Sequence, residues 1–128
     1  MAIIGLVLAG LAAIIHIYIF TMESITWTSP RTRRTFGTTE EEARVTKSLA
    51  FNQGFYNLFL AVSVVLGIVV FALGSTVVGA TLVFVGAGSM AAAALVLLLS
   101  SPDLRRAALV QGLLPALGII ALAIGLAA

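Results

Sequence analysis

The chain contains no cysteine, a single histidine, a single tryptophan and three prolines in 128 residues, and its charged side chains number only seven Lys or Arg and five Asp or Glu. Without cysteine there are no disulfides, no thiol nucleophile and no iron–sulfur ligation. One His with one nearby Glu falls short of the three or four protein ligands that zinc takes, so no metal site is expected. No Gly-rich phosphate loop, Ser-centred elbow or Asp pair is present. A charged share of 9% lies far below the roughly 25% of soluble domains. With 61% of its residues apolar, the chain has the composition of a protein whose solvent is the membrane. A net charge of +2 offers no footprint for a nucleic-acid partner.

What is present is a pattern of long apolar runs with all positive charge on alternate connections. Arg31, Arg33, Arg34, Arg44 and Lys47 lie between the first and second runs, and Arg105 and Arg106 lie between the third and fourth. The beginning of the chain, the connection at Gly74–Ser75 and the final residues carry none. This distribution predicts an all-α fold, a four-transmembrane-helix bundle with both termini on the non-cytoplasmic side of the inner (plasma) membrane. The spans are expected at about 2–22, 49–73, 77–99 and 107–126, joined by a cytoplasmic linker over 23–48, all in one membrane domain. The first run has no positive n-region and exceeds the roughly 15 residues of a signal-peptide core, so it reads as a span. Anionic lipid headgroups are the natural partners of the juxtamembrane basic residues.

Local signals refine this outline. Ser29-Pro30 breaks the linker. Thr39-Glu40-Glu41-Glu42 matches a capping box, which predicts a helix that starts at Glu40 and continues through Arg44 and Lys47 into the membrane. Ser101 is expected to cap the last helix, with Pro102 at its first position, and Pro115 to kink it. Small residues recur on spans one, three and four (Gly5, Ala9 and Ala13; Gly79, Gly86 and Ala94; Gly118, Ala121 and Gly125), as close helix approach requires.

Polar groups inside hydrocarbon are expensive, so their positions carry information. His16, Phe20, Glu23 and Trp27 follow one another at spacings that share a helix face. Asn52, Gln53, Tyr56 and Asn57 cover an adjacent arc on span two, continued by Phe59 and Ser63. Gln111 stands on span four. By helical rise His16 lies about 10 Å beyond Glu23, and Asn52 to Asn57 lie about 8–15 Å past Lys47. The three sets are expected to converge in one layer, a polar pocket inside the bundle that opens toward the basic side. Each residue also has a structural reading: His16, Asn and Gln as interhelical hydrogen-bond partners, Glu23 as half of an ion pair with Arg34, Arg44 or Lys47, and Trp27 and Tyr18 as interfacial aromatics.

The same residues resemble a small integral-membrane family catalogued as domain of unknown function 1304. The likeness rests on His16-Ile17-Tyr18-Ile19-Phe20 with Glu23 and Trp27, on Phe36, on Asn52-Gln53-Gly54-Phe55-Tyr56-Asn57 with Phe59-Leu60-Ala61, and on Gln111-Gly112 with Pro115-Ala116. It covers nearly the whole chain, with span three generic. It implies a four-span bundle and brings no established activity or cofactor.

Three functions remain open on these residues. In the first, the pocket binds, or also transforms, a small or lipid-like molecule. His16 would be the acid–base group, because only His has an unperturbed pKa near neutrality, and Glu23 would assist it. Asn52, Gln53, Asn57 and Gln111 would hold a polar headgroup or carbonyl, Tyr56, Phe20 and Phe59 would wall the apolar part, and Trp27 is a further candidate for ligand contact. In the second, the protein is an accessory or assembly subunit, docked to a partner or to a second copy as a homo-oligomer through its small-residue stripes. The third is a small-molecule transporter, disfavoured because no carboxylate lies near the expected bilayer midplane.

Overall fold

In hydrocarbon a backbone must satisfy its own N–H and C=O groups, and this chain does so with helices throughout. The computed structural model describes residues 1–128. Helix α1 (Ala2–Phe20) is extended by one wider, π-type turn over Thr21–Ile25. Two short helices follow, α2 (Pro30–Phe36) and α3 (Glu40–Val45). Then come α4 (Lys47–Ala72), α5 (Thr76–Ser100), a 3₁₀ turn (Pro102–Leu104) and α6 (Arg105–Ala127). Four stretches of 24 to 26 residues, Ala2–Ile25, Lys47–Ala72, Thr76–Ser100 and Pro102–Ala127, are long and apolar enough to cross a membrane. At 1.5 Å per residue each exceeds the ~30 Å of a hydrocarbon core. This is the architecture of a multi-pass membrane protein, and it leaves large apolar side chains such as Ile3, Val77 and Leu99 exposed on the outside of the bundle.

The long helices form a ring. Helix α1 packs between α4 and α6, α5 packs between the same two on the other side, and α4 and α6 take opposite corners. Both termini and the turn at Gly74 (φ 98°) share one end. The linker and the Pro102 turn share the other, so all seven basic residues lie at a single end of the bundle.

Small residues set the ring. A Cβ at Gly5 would strike the backbone of Leu122, and one at Gly118 would press on Ala9 and Gly5. Gly125 meets Ala2, Gly79 meets Phe71, and Gly86 meets Val64 and Leu60. The stripes on α1 and α6 therefore pack against each other, and the glycines of α5 pack against α4, inside the bundle. Lipid tails are as apolar as leucine, so it is this close van der Waals contact that holds such helices together. Val64, Val83, Met90 and Leu122 fill the centre and are fully buried.

The connections depart from expectation in four places. The predicted helix from Glu40 breaks at Thr46 (φ −90°, ψ 3°), which separates α3 from α4. The hydroxyl of Thr46 donates to the Glu42 carbonyl (2.7 Å) and accepts from Trp27, a pairing outside the helix that a sequence does not display. Residues 30–36, read as linker, form α2, because Ser29 caps it by accepting from the Thr32 N–H (3.2 Å), Pro30 takes the first position and Gly37 closes it at φ 67°. Ser101 makes no capping bond; the 3₁₀ turn intervenes and α6 starts at Arg105. Span one runs on through Ile25, carried by its π-type turn. The capping box forms as expected, with the Thr39 hydroxyl accepting from the Glu42 N–H (3.2 Å) and the Glu42 carboxylate from the Thr39 N–H (2.8 Å).

Candidate functional site

The site is built where the end of α1 crosses the start of α4. The last turn of span one is closed by a Thr26 N–H to Thr21 carbonyl bond (3.0 Å), five residues apart instead of four. Such bulges re-aim side chains and recur at functional positions. Here the widened turn includes Glu23 and Ser24, both of which bond to α4. Glu23 is 9% exposed, and its Oε2 accepts a 2.8 Å hydrogen bond from Asn57 Nδ2. The same amide donates to the Gln53 carbonyl (3.2 Å), which fixes its orientation. The Ser24 hydroxyl donates to the Phe51 carbonyl (2.8 Å). Just below, Phe20 and Phe55 meet edge to face with ring centroids 5.1 Å apart.

Gly54 makes this crossing possible. A Cβ there would collide with Ser24 Oγ and press within 3.1 Å of both Glu23 Cβ and the Phe20 carbonyl. Ala50, Gly54 and Ala61 are all buried, the small face on which α1 rests.

Above the crossing, Trp27 ties the linker to the bundle. Its Nε1–H donates to Thr46 Oγ1 (3.1 Å), and its ring packs on Phe36 at 5.0 Å. Two clefts open on either side of this strut. One, of about 540 Å³, is lined by Ser24, Arg44, Lys47, Phe51 and Asn52. The other, of about 500 Å³, is lined by Thr38, Glu42, Thr46, Leu49 and Gln53. Glu23 and Trp27 line both.

The structure thus brings together Phe20, Glu23, Trp27, Asn52, Gln53 and Asn57, but not as one layer inside the bundle. Glu23 and Asn57 meet directly, whereas Asn52 and Gln53 are exposed at the mouths of the two clefts. Tyr56 points outward at 65% exposure. Gln111 is half-buried on α6, the helix that packs on α1 and α5 and stands opposite α4. His16 is 2% exposed, and its Nδ1–H donates to the Ala12 carbonyl (2.9 Å) within its own helix. It lines neither cleft. The expected three-span convergence is in fact a two-helix crossing, because the order of the helices around the ring separates α4 from α6.

Ser24, Thr46, Gly54 and Phe55 were not among the expected site residues. For Gly54 a signal exists in the recurrence of Ala50, Gly54 and Ala61 on one helical face. For Ser24 and Thr46, whose partners lie 27 and 19 residues away, nothing local marks them.

Magnitudes bear on why the carboxylate is there. A charged side chain costs up to about 3 kcal/mol at the centre of a span and less toward its end. One interhelical hydrogen bond returns about 0.6 kcal/mol on average. Asn57 therefore orients Glu23 without compensating fully for its burial.

Comparison with known proteins gives one match. The model of a family described as "Protein of unknown function (DUF1304)" matches residues 10–123, most of the chain. No curated protein and no solved structure matches it.

Proposed function

The chain belongs to the DUF1304 family of proteins of unknown function, and from its own site we propose that it binds a small or lipid-like molecule in the clefts around Glu23. The observation that carries this reading is the placement of Glu23: the one buried acidic side chain of the chain lines two adjoining clefts, with one oxygen held by Asn57. Glu23 anchors the polar part of the ligand, and Asn52 and Gln53 contact it at the cleft mouths. Phe51 and Trp27 flank the apolar part, with Phe20 and Phe55 as the support beneath. His16, behind the site, acts on the ligand only through the α1 helix that carries Glu23.

The basic end of the bundle faces the cytoplasm and both termini lie outside, since Lys and Arg accumulate on the cytoplasmic side of short connections. The membrane is the inner, or plasma, membrane, and the ligand enters from the cytoplasm or the inner leaflet.

A thermal-shift screen of lipids and metabolites on the detergent-solubilised protein tests the reading. A ligand present at about 100 times its Kd stabilises by about 2.7 kcal/mol. That shift is expected for at least one compound and is expected to shrink in both Glu23→Gln and Asn52→Ala. Folded variants that keep every shift would overturn the site.

A further inference from the structure

We propose that residues 26–46 form a strap beside Glu23, latched at its neck by the Trp27–Thr46 hydrogen bond, and that release of this latch joins the two clefts into one groove. As control of a binding site the inference rests on the binding role given above to Glu23; as a movement of the chain it is tested without any ligand. The two clefts share Glu23 and Trp27. Each takes further wall residues from the strap, Arg44 and Val45 for one and Gly37, Thr38 and Glu42 for the other. The indole of Trp27 is thus the partition between them, and it stands on the strap.

The strap is a lightly held unit whose bonds are mostly its own. None of the main helix pairings of the bundle involves α2, and the principal contact of α3 is with α4, its neighbour in the chain. The Thr32 hydroxyl is bonded to Thr26 (2.9 Å) and Ser29 (3.0 Å), and Arg33 pairs with Glu40 (3.9 Å), all within the strap. The one side-chain hydrogen bond that closes it is Trp27 Nε1–H to Thr46 Oγ1 (3.1 Å), which spans 19 residues and ties its two ends together. At those ends the backbone leaves helical geometry, Thr26 at φ −115°, ψ 23° and Thr46 at φ −90°, ψ 3°. Such element-terminal residues are where hinge motion is absorbed. The latched state also leaves polar atoms unpaired. Arg33 Nε and Thr38 Oγ1 are buried without a hydrogen-bond partner, and both belong to the strap. A buried polar group without a partner costs free energy that water would return. Thr38 stands on the wall of the second cleft, so lifting the strap hydrates it. The latch therefore holds the strap down against an opposing term.

Trp27 is the only tryptophan, so its fluorescence reports on the latch. The full chain is placed in phosphatidylcholine nanodiscs. Three quantities are followed: acrylamide quenching of Trp27, amide exchange over residues 28–38, and modification of Glu23 by dicyclohexylcarbodiimide, located by mass spectrometry. Thr46→Val removes the acceptor and Thr46→Ser keeps it. In Thr46→Val, strap exchange and Glu23 modification should both speed up about two- to tenfold, the range of one lost hydrogen bond acting through local opening. Quenching should increase with them, exchange in α5 should stay as it was, and Thr46→Ser should behave as the parent chain. Trp27→Phe keeps a ring for Phe36, removes only the N–H, and should raise strap exchange and Glu23 modification alike; it serves if Thr46→Val does not fold. Strap exchange that stays unchanged in both variants shows a strap held by packing and overturns the latch. Strap exchange that rises without faster modification of Glu23 overturns the joining of the clefts. An equal rise in α5 marks a general loss of stability and overturns the proposal as well. Each of these failures leaves the binding reading standing, because the ligand-induced thermal shifts decide that separately.

Discussion

A single hydrogen atom in place of a side chain decides whether the candidate site exists. Gly54 lies where α1 rests on α4, with Ser24, Glu23 and the Phe20 carbonyl occupying the space its Cβ would need. Gly54→Ala must push the two helices apart, and overpacking of this kind costs about 1–3 kcal/mol. The Ser24–Phe51 and Glu23–Asn57 bonds should loosen with it. Gly88 is the control, since nothing lies within 4 Å of a Cβ there. Gly88→Ala should be neutral or stabilise by up to about 1 kcal/mol through helix propensity. Unfolding of the two variants in the same detergent checks the contrast, and equal stabilities would remove Gly54 from its role. The value of Gly54 was only half legible beforehand. Its place in a run of polar residues was visible, but the atoms that crowd it belong to a turn thirty residues earlier in the chain.

Among the elements, the linker helices show how local chemistry succeeds where it is self-contained. The capping box at Thr39 forms as its residue types require, because donor and acceptor lie three residues apart. The hydrogen bond from the Thr39 backbone N–H holds the Glu42 carboxyl below its ordinary range. A group with a lowered folded pKa contributes stability that is present above its unfolded value and lost as pH falls through the folded one. The α3 helix should therefore remain capped near neutrality and fray in acid. Thr39→Ala is expected to speed amide exchange over residues 40–45 several-fold, the local loss of a cap of about 1 kcal/mol, and to leave global unfolding unchanged. Exchange rates that do not respond would show that α3 is held by its packing. By contrast, Thr46 at the break bonds both to its neighbour, donating to the Glu42 carbonyl, and to a distant partner, accepting from Trp27. An uninterrupted helix from Glu40 was the natural expectation, and the structure instead breaks it at Thr46, where the Trp27 N–H donates to the threonine hydroxyl.

For the molecule as a whole, the gathering of all seven basic residues at one end yields a prediction about sidedness. The chain has no cysteine, so single-cysteine reporters label without background. A cysteine at Thr35, between α1 and α4, should react with membrane-impermeant maleimide only after the cytoplasmic face is exposed. A cysteine at Ser75 or Ala128 should react in intact cells. The opposite pattern would invert the bundle and turn the Glu23 clefts away from the cytoplasm. The same whole-molecule view explains the distribution of small residues: their close contacts lie between α1 and α6, α4 and α5, and α5 and α6, which is how a ring of four helices closes without a hydrophobic driving force between them.

Hydropathy and charge placement were enough to establish four spans and a common basic end, because each depends on residues within one run and on the cost of moving charge into hydrocarbon. The polar residues themselves could also be identified in the chain, since each is costly where it stands. Which of them meet is another matter. Helix order and rotation arise from contacts between glycine and alanine faces far apart in sequence, and these set α1 against α4 while holding α6 at the opposite corner. Glu23 and Asn57 therefore join across a glycine, Asn52 and Gln53 open to either side, and His16 and Gln111 remain apart from the clefts that the folded bundle creates.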